Sequence, residues 1–217
     1  MSTPAKTGPA LPRFTVPNVP KLAVYVVGFI PAALLFWQVF TGRGSADPIA
    51  YLEHELGQWA LRLLIATLCI SPLRQHLGIN LLRYRRALGL LAFYYVVIHL
   101  GVWLVLDRGL DLRAVFNDIL RRPYITIGML ALTLLVPLAL TSNNWSIRKM
   151  GGKAWTKLHK LAYPAIALGA IHFIMVKKVW LVEPMIYAAI VAVLLAWRVW
   201  RHYSGGGRPK ARKVVAA

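Results

Sequence analysis

The stretch ITIGMLALTLLVPLAL, residues 125–140, holds no charged side chain and no polar stripe. A soluble amphipathic helix of that length keeps one face for water; this segment has none and calls for lipid around it. It has company. Segments 21–41, 57–76, 87–106, 124–141, 156–176 and 181–200 each come close to the roughly 20 apolar residues that cross a hydrocarbon core about 30 Å thick. A chain that is 58% hydrophobic and only 15% charged belongs with membrane proteins. The expected fold is an all-α membrane protein, a six-transmembrane-helix bundle over residues 21–201. A disordered arm, 1–20, precedes it and a flexible basic tail, 202–217, follows.

Charge orients the bundle. Most of the 26 Lys and Arg fall at the N-terminus, in the second and fourth connections and in the tail, including Arg74, Arg83, Arg85, Arg86, Arg148 and Lys149. All seven acids fall on the opposite side, with Arg43, Arg108, Arg113, Arg121, Arg122, Lys177 and Lys178. By the positive-inside rule both termini are cytoplasmic. The net charge of +19 is then a topology signal with attraction to an anionic bilayer, and calls for no nucleic acid. The single Cys69 excludes an intrachain disulfide. No short apolar region with a small-residue cleavage site precedes the first span, which is therefore expected to be retained. No GxGxxG or Walker pattern occurs, and no internal repeat is evident.

Against this apolar background the histidines stand out. His54 in LEHEL and His202 in the tail read as solvated surface, and His76 as interfacial. His99 and His172 differ, because ionisable groups within a span are costly and normally face the bundle interior with a function. His99 lies 14 residues beyond Arg85, about 21 Å up a helix that enters at the cytoplasmic edge. His172 lies 13 residues beyond His159, about 20 Å up a parallel helix. Two imidazoles at one depth on neighbouring helices are what the axial positions of a haem iron require. The spans supply too few carboxylates and thiols for zinc or non-haem iron. A proton relay would ordinarily mix histidine with membrane carboxylates, and all the acids are expected outside.

An inner site is less complete. His159 is its candidate ligand, and the level on the third span where a partner belongs holds Arg85 and Arg86. Arginine stays protonated and ligates iron poorly, but suits a haem propionate; His76 is an alternative partner. Arg62 reads equally as a snorkelling side chain or as a propionate partner of the outer site. Gly89 and Gly169 leave room for a macrocycle or for close helix approach. Pro137 and Pro164 should kink their helices. The connection DRGLDLRAVFNDILRRP has an amphipathic pattern (Leu110, Leu112, Val115, Phe116, Ile119) that fits a helix lying in the interface or a docking surface.

The stretches RRALGLLAFYYVVIH and RRPYITIGMLALTLLVPLALTSNNWSIRKMGGKAWTKLHKLAYPAIALGAIH resemble the MsrQ family (formerly YedZ) of haem-binding membrane subunits. That family belongs to the ferric-reductase-like and NADPH-oxidase-like transmembrane superfamily, and the resemblance covers residues 20–200. It implies a transmembrane haem b carrier in a bacterial inner membrane, with one haem or two. Such a carrier passes electrons to MsrP, a periplasmic molybdopterin enzyme that reduces methionine sulfoxide in oxidised proteins. The resemblance also implies quinol, or a flavin route through bound FMN or a flavin reductase, as the electron source. His99, His159 and His172 match the family's haem-linked histidines, while Arg85 falls where related oxidases carry histidine. The residues by themselves also admit a stand-alone ferric or metal reductase, and a haem-free proton-coupled transporter or assembly factor.

Overall fold

The computed structural model describes residues 18–176 and 182–204. The expected arm and tail lie largely outside these residues, as do Lys177, Lys178 and Trp180. The helices are α1 (Lys21–Phe40), α2 (Pro48–His76), α3 (Arg85–Gly101), α4 (Leu112–Arg121), α5 (Pro123–Leu140), α6 (Asn144–Met150), α7 (Gly152–Leu158), α8 (Ala162–Val176) and α9 (Val182–Tyr203). No strand occurs among the described residues. Six continuous helical stretches are long and apolar enough to cross a membrane: Lys21–Phe40, Pro48–His76, Leu82–Asp107, Pro123–Leu140, Gly152–Val176 and Val182–Tyr203. The chain is a multi-pass membrane protein with six candidate spans.

Three local details move the edges that hydropathy alone placed. Asp47 accepts a hydrogen bond from the Ala50 N–H at 3.0 Å and Pro48 takes the first helical position, so α2 starts well ahead of residue 57. Glu53 and His54 therefore sit on a helix, in place of the expected external loop. At the end of α3 the backbone widens into a π-turn, Val102–Asp107, with Arg108 N–H bonding Trp103 O at 2.9 Å. The kink expected from Pro164 appears one turn earlier. Proline cannot donate to the preceding turn, and the fifth span breaks into α7, a 3₁₀ turn at His159–Leu161, and α8.

Packing is organised in two helix pairs, α2 with α3 and α5 with α8, while α1 and α9 flank them. One apolar cluster joins α2, α3, α5, α8 and α9 through residues such as Leu64, Ala92, Leu135, Ile166 and Val191. The other joins α1 to α2 and α3 through Leu35, Leu56, Leu91 and Tyr95. Pro31 lets α1 open at this second cluster. The fully buried Tyr95 hydroxyl accepts from Ala32 N–H at 3.1 Å and donates to Gly28 O at 2.7 Å, so it stands inserted in the α1 ladder. Removing it strands a donor and an acceptor together, each costing about 1–3 kcal/mol. Tyr95→Phe should therefore lower the melting temperature of the detergent-solubilised chain clearly. A melting curve unchanged from wild type would show that α1 closes its own ladder.

Candidate functional site: a histidine pair in a helix-walled cavity

Between the two helix pairs lies a cavity of about 410 Å³, walled by α2, α3, α5 and α8. Its deep end is apolar, lined by Ala60, Leu61, Leu64, Leu135 and Ala165. Its mouth, at the start of α2 and α5 and the end of α3, is polar, with Glu53, His54, Asp107, Arg108, Arg122 and Tyr124. His99 from α3 and His172 from α8 face each other across it, ring centroids 6.4 Å apart and planes at 76°.

Each ring is held the same way. His99 Nδ1 lies 2.8 Å from the backbone oxygen of Glu53 on α2, and His172 Nδ1 lies 2.7 Å from that of Tyr124 on α5. A carbonyl only accepts, so both Nδ1 atoms carry the proton and both Nε2 atoms keep a free lone pair in the neutral ring. Such a carbonyl also serves its own helix, and the imidazole must reach past the residue four positions on. In both cases that residue is glycine. A Cβ added at Gly57 would stand 3.3 Å from His99 Nδ1, and one at Gly128 only 3.0 Å from His172 Nδ1. The two helix pairs thus repeat one device, a carbonyl at position i and a glycine at i+4, that no sequence repeat announces.

What can two such imidazoles hold? With a metal–imidazole bond of roughly 2 Å and the nitrogen about 1 Å from its ring centre, axial centroids stand about 6 Å apart. The observed 6.4 Å meets that demand. Among the described residues no group of three His, Cys, Asp or Glu side chains is placed to share a metal ion. The arrangement suits a flat group that brings its own equatorial ligands and asks the protein for two.

The other residues singled out from the sequence fall elsewhere. Arg62 does not line the cavity. Its Nε donates to the Tyr187 hydroxyl at 2.8 Å and its Nη2 to Gln58 Oε1, and buried Gln58 in turn donates to Glu183. The guanidinium also lies over Trp59, 5.1 Å from the ring centre, so Arg62 joins α2 to α9 and neither snorkels nor reaches the mouth. His159 stacks on Trp155 at 3.8 Å, with Nδ1 3.0 Å from Trp155 O and Nε2 3.4 Å from Ser142 Oγ. Arg85 lies within Coulombic reach of His159 and of Arg198. His76 packs against Trp197, and no hydrogen bond or ring contact joins it to His159 among the described residues. His54, expected in solvent, lines the cavity with its ring 5.6 Å from Phe173. Gly169 lines the cavity and Gly89 does not, and a Cβ placed at either would meet nothing within 4 Å.

Sequence reasoning missed Gly57, Gly128, Arg108 and Arg122. Along the chain the two arginines read only as charges outside the membrane, and the glycines gain meaning only once a neighbouring helix brings its histidine.

The sequence model described as "Ferric reductase like transmembrane component" matches residues 56–170, more than half of the chain. Proteins named "Protein-methionine-sulfoxide reductase heme-binding subunit MsrQ" from Brucella ovis, Brucella canis and Brucella suis are each 58% identical to it over 189 residues. That alignment covers 87% of this chain and 86% of each relative. Identity at that level across all but the ends leaves one conclusion: the chain belongs to the MsrQ family, within the ferric-reductase-like transmembrane components.

Proposed function

We propose that His99 and His172 are the two axial ligands of a haem b, and that the chain carries electrons across the inner membrane to a periplasmic methionine sulfoxide reductase. The observation that carries this reading is the pair of facing imidazoles, each fixed through Nδ1 so that Nε2 is left for the iron. Haem supplies one-electron carriage, and the protein sets its position and potential. The rest is done by the chain. The Glu53 and Tyr124 carbonyls fix tautomer and rotation, and an oriented ligand is a more basic one. Leu61, Leu64 and Leu135 keep the deep end dry.

With both termini in the cytoplasm, this site lies in the outer half of the membrane. His159 lies towards the cytoplasmic face, where it is the candidate ligand of a second haem, with Arg85 placed to meet an anionic substituent. Quinol or a flavin, FMN included, is the donor on this reading. The molybdopterin subunit MsrP is the acceptor and completes the two-electron sulfoxide reduction.

Membranes containing the chain together with MsrP test this directly. Quinol should turn their visible spectrum to that of reduced haem b, and methionine sulfoxide should then reverse it. His172→Ala membranes should show neither change. A reduced spectrum that methionine sulfoxide leaves untouched would overturn the partner assignment. Reoxidation by ferric salts without MsrP would favour a stand-alone ferric reductase.

A further inference from the structure

The cavity mouth carries a cluster that the histidine pair does not explain. Arg108, just beyond the π-turn, and Arg122, between α4 and α5, both line the mouth. Asp118 of α4 joins them, its Oδ2 lying 3.0 Å from Arg108 Nε and its Oδ1 3.1 Å from Arg122 Nε. Asp107 Oδ2 lies 3.0 Å from Arg108 Nη2, and Arg122 Nη1 donates to the Tyr124 hydroxyl at 3.1 Å. The Arg108 Nε–H is itself buried and unaligned for a hydrogen bond, even to the carboxylate beside it. Buried polar groups are normally satisfied, so the Arg108 Nε–H marks a place for an acceptor at the cavity edge, with the 45% exposed Arg122 side chain open to the same side of Asp118.

The shape of the cavity says which kind. It is apolar at depth, and its mouth holds two guanidinium groups beside the Glu53 and Asp107 carboxyl groups; two guanidinium groups set side by side by one carboxylate suit an occupant that is apolar in the middle and anionic at one edge. We infer that Arg108 and Arg122, held in place by Asp118, form a carboxylate clamp that binds the acidic edge of a tetrapyrrole seated between His99 and His172. The clamp rests on the haem reading and adds to it an orientation, acid edge outward, together with residues that hold it.

Its construction also gives α4 a purpose. Asp118 is only 14% exposed, with half-buried Val115 and Ile119 beside it, whereas Leu112, Phe116 and Leu120 are 73%, 65% and 68% exposed. The amphipathic helix expected from the sequence is present, its apolar residues forming one stripe that is half-buried at the edge next to Asp118 and exposed at the other. Beside that half-buried edge stands the carboxylate that spaces the two arginines. A guanidinium offers two parallel N–H groups to a carboxylate, which lysine cannot match.

Two measurements on the detergent-purified full chain test the clamp. In the first, excess apomyoglobin captures released haem from wild type, Arg108→Gln, Arg122→Gln and Asp118→Asn. A charge-assisted hydrogen bond is worth about 1.5–3 kcal/mol, so each arginine variant should release haem roughly tenfold faster or more. Asp118→Asn should fall between wild type and the arginine variants, and Arg108→Lys should recover only part of the loss. In the second, haem-stripped wild type is reconstituted with iron mesoporphyrin as the free acid or as its dimethyl ester. Wild type should prefer the acid by about the same factor, and the arginine variants should lose that preference. Equal binding of acid and ester by wild type would overturn the clamp without any variant needing to fold, as would variants that release haem at the wild-type rate. A wild type that binds neither porphyrin fails at an earlier point, in the haem reading itself.

Discussion

Replacing His172 with alanine should strip the purified chain of its outer b-type chromophore, and His99→Ala should do the same. Each substitution removes one of two imidazoles that share the cavity. His54 also lines it, but among the described residues no third His, Cys, Asp or Glu side chain is placed to share a metal ion with them. Losing a hydrogen bond that merely orients a ligand typically costs roughly 10–100-fold in metal affinity, so losing the ligand should cost at least that. Haem counted per chain after purification is the measurement. Folding should survive, because each alanine only enlarges an existing cavity; a monodisperse elution profile checks this. His159→Ala should leave the outer chromophore in place. Equal loss in all three variants would mean the pair has no privileged role.

Gly128→Ala should be nearly as damaging, although the residue carries no chemistry. A Cβ there would lie 3.0 Å from His172 Nδ1 and 3.1 Å from its Cε1, tighter than nine in ten real contacts. Those atoms belong to a ring pinned between the Tyr124 carbonyl and the cavity, so the ring must give way. A shift of a few tenths of an ångström strains the bond that fixes its tautomer, and affinity should fall by up to roughly 10–100-fold. Gly57→Ala meets His99 at 3.3 Å and should act in the same direction, less strongly. Gly89→Ala meets nothing within 4 Å and is the matched control. The check is haem retention across the three variants in parallel. Identical retention in Gly128→Ala and Gly89→Ala would show that ring position does not depend on the glycine.

The six spans are legible in the sequence because uninterrupted apolar length is a local property of the chain. The juxtaposition of His99 and His172 is legible as well, since helical rise converts residue spacing into depth. The start of α2 is not read from hydropathy, although Asp47-Pro48 is a capping signal; hydropathy bounds the span at LEHEL, yet the helix extends past the apolar zone. That misplacement hides both Glu53, whose carbonyl holds His99, and His54 on the cavity wall. Arg62 is misread for a different reason. Its depth follows from the sequence, but only tertiary structure shows that Gln58, Tyr187 and Glu183 surround it. Gly57 and Gly128 illustrate the limit best. A glycine whose purpose is to let a side chain from another helix reach a carbonyl leaves no trace along its own helix.

The proposed electron carriage rests on His99 and His172 holding one haem iron between them. The most direct measurement is an optical spectrum of the dithionite-reduced, detergent-purified His159→Ala chain, before and after carbon monoxide. With both axial positions filled by His99 and His172, a sharp b-type band should appear and carbon monoxide should leave it unchanged. A chain with no haem band despite ample haem supply, or a band that carbon monoxide shifts at once, would contradict the pairing.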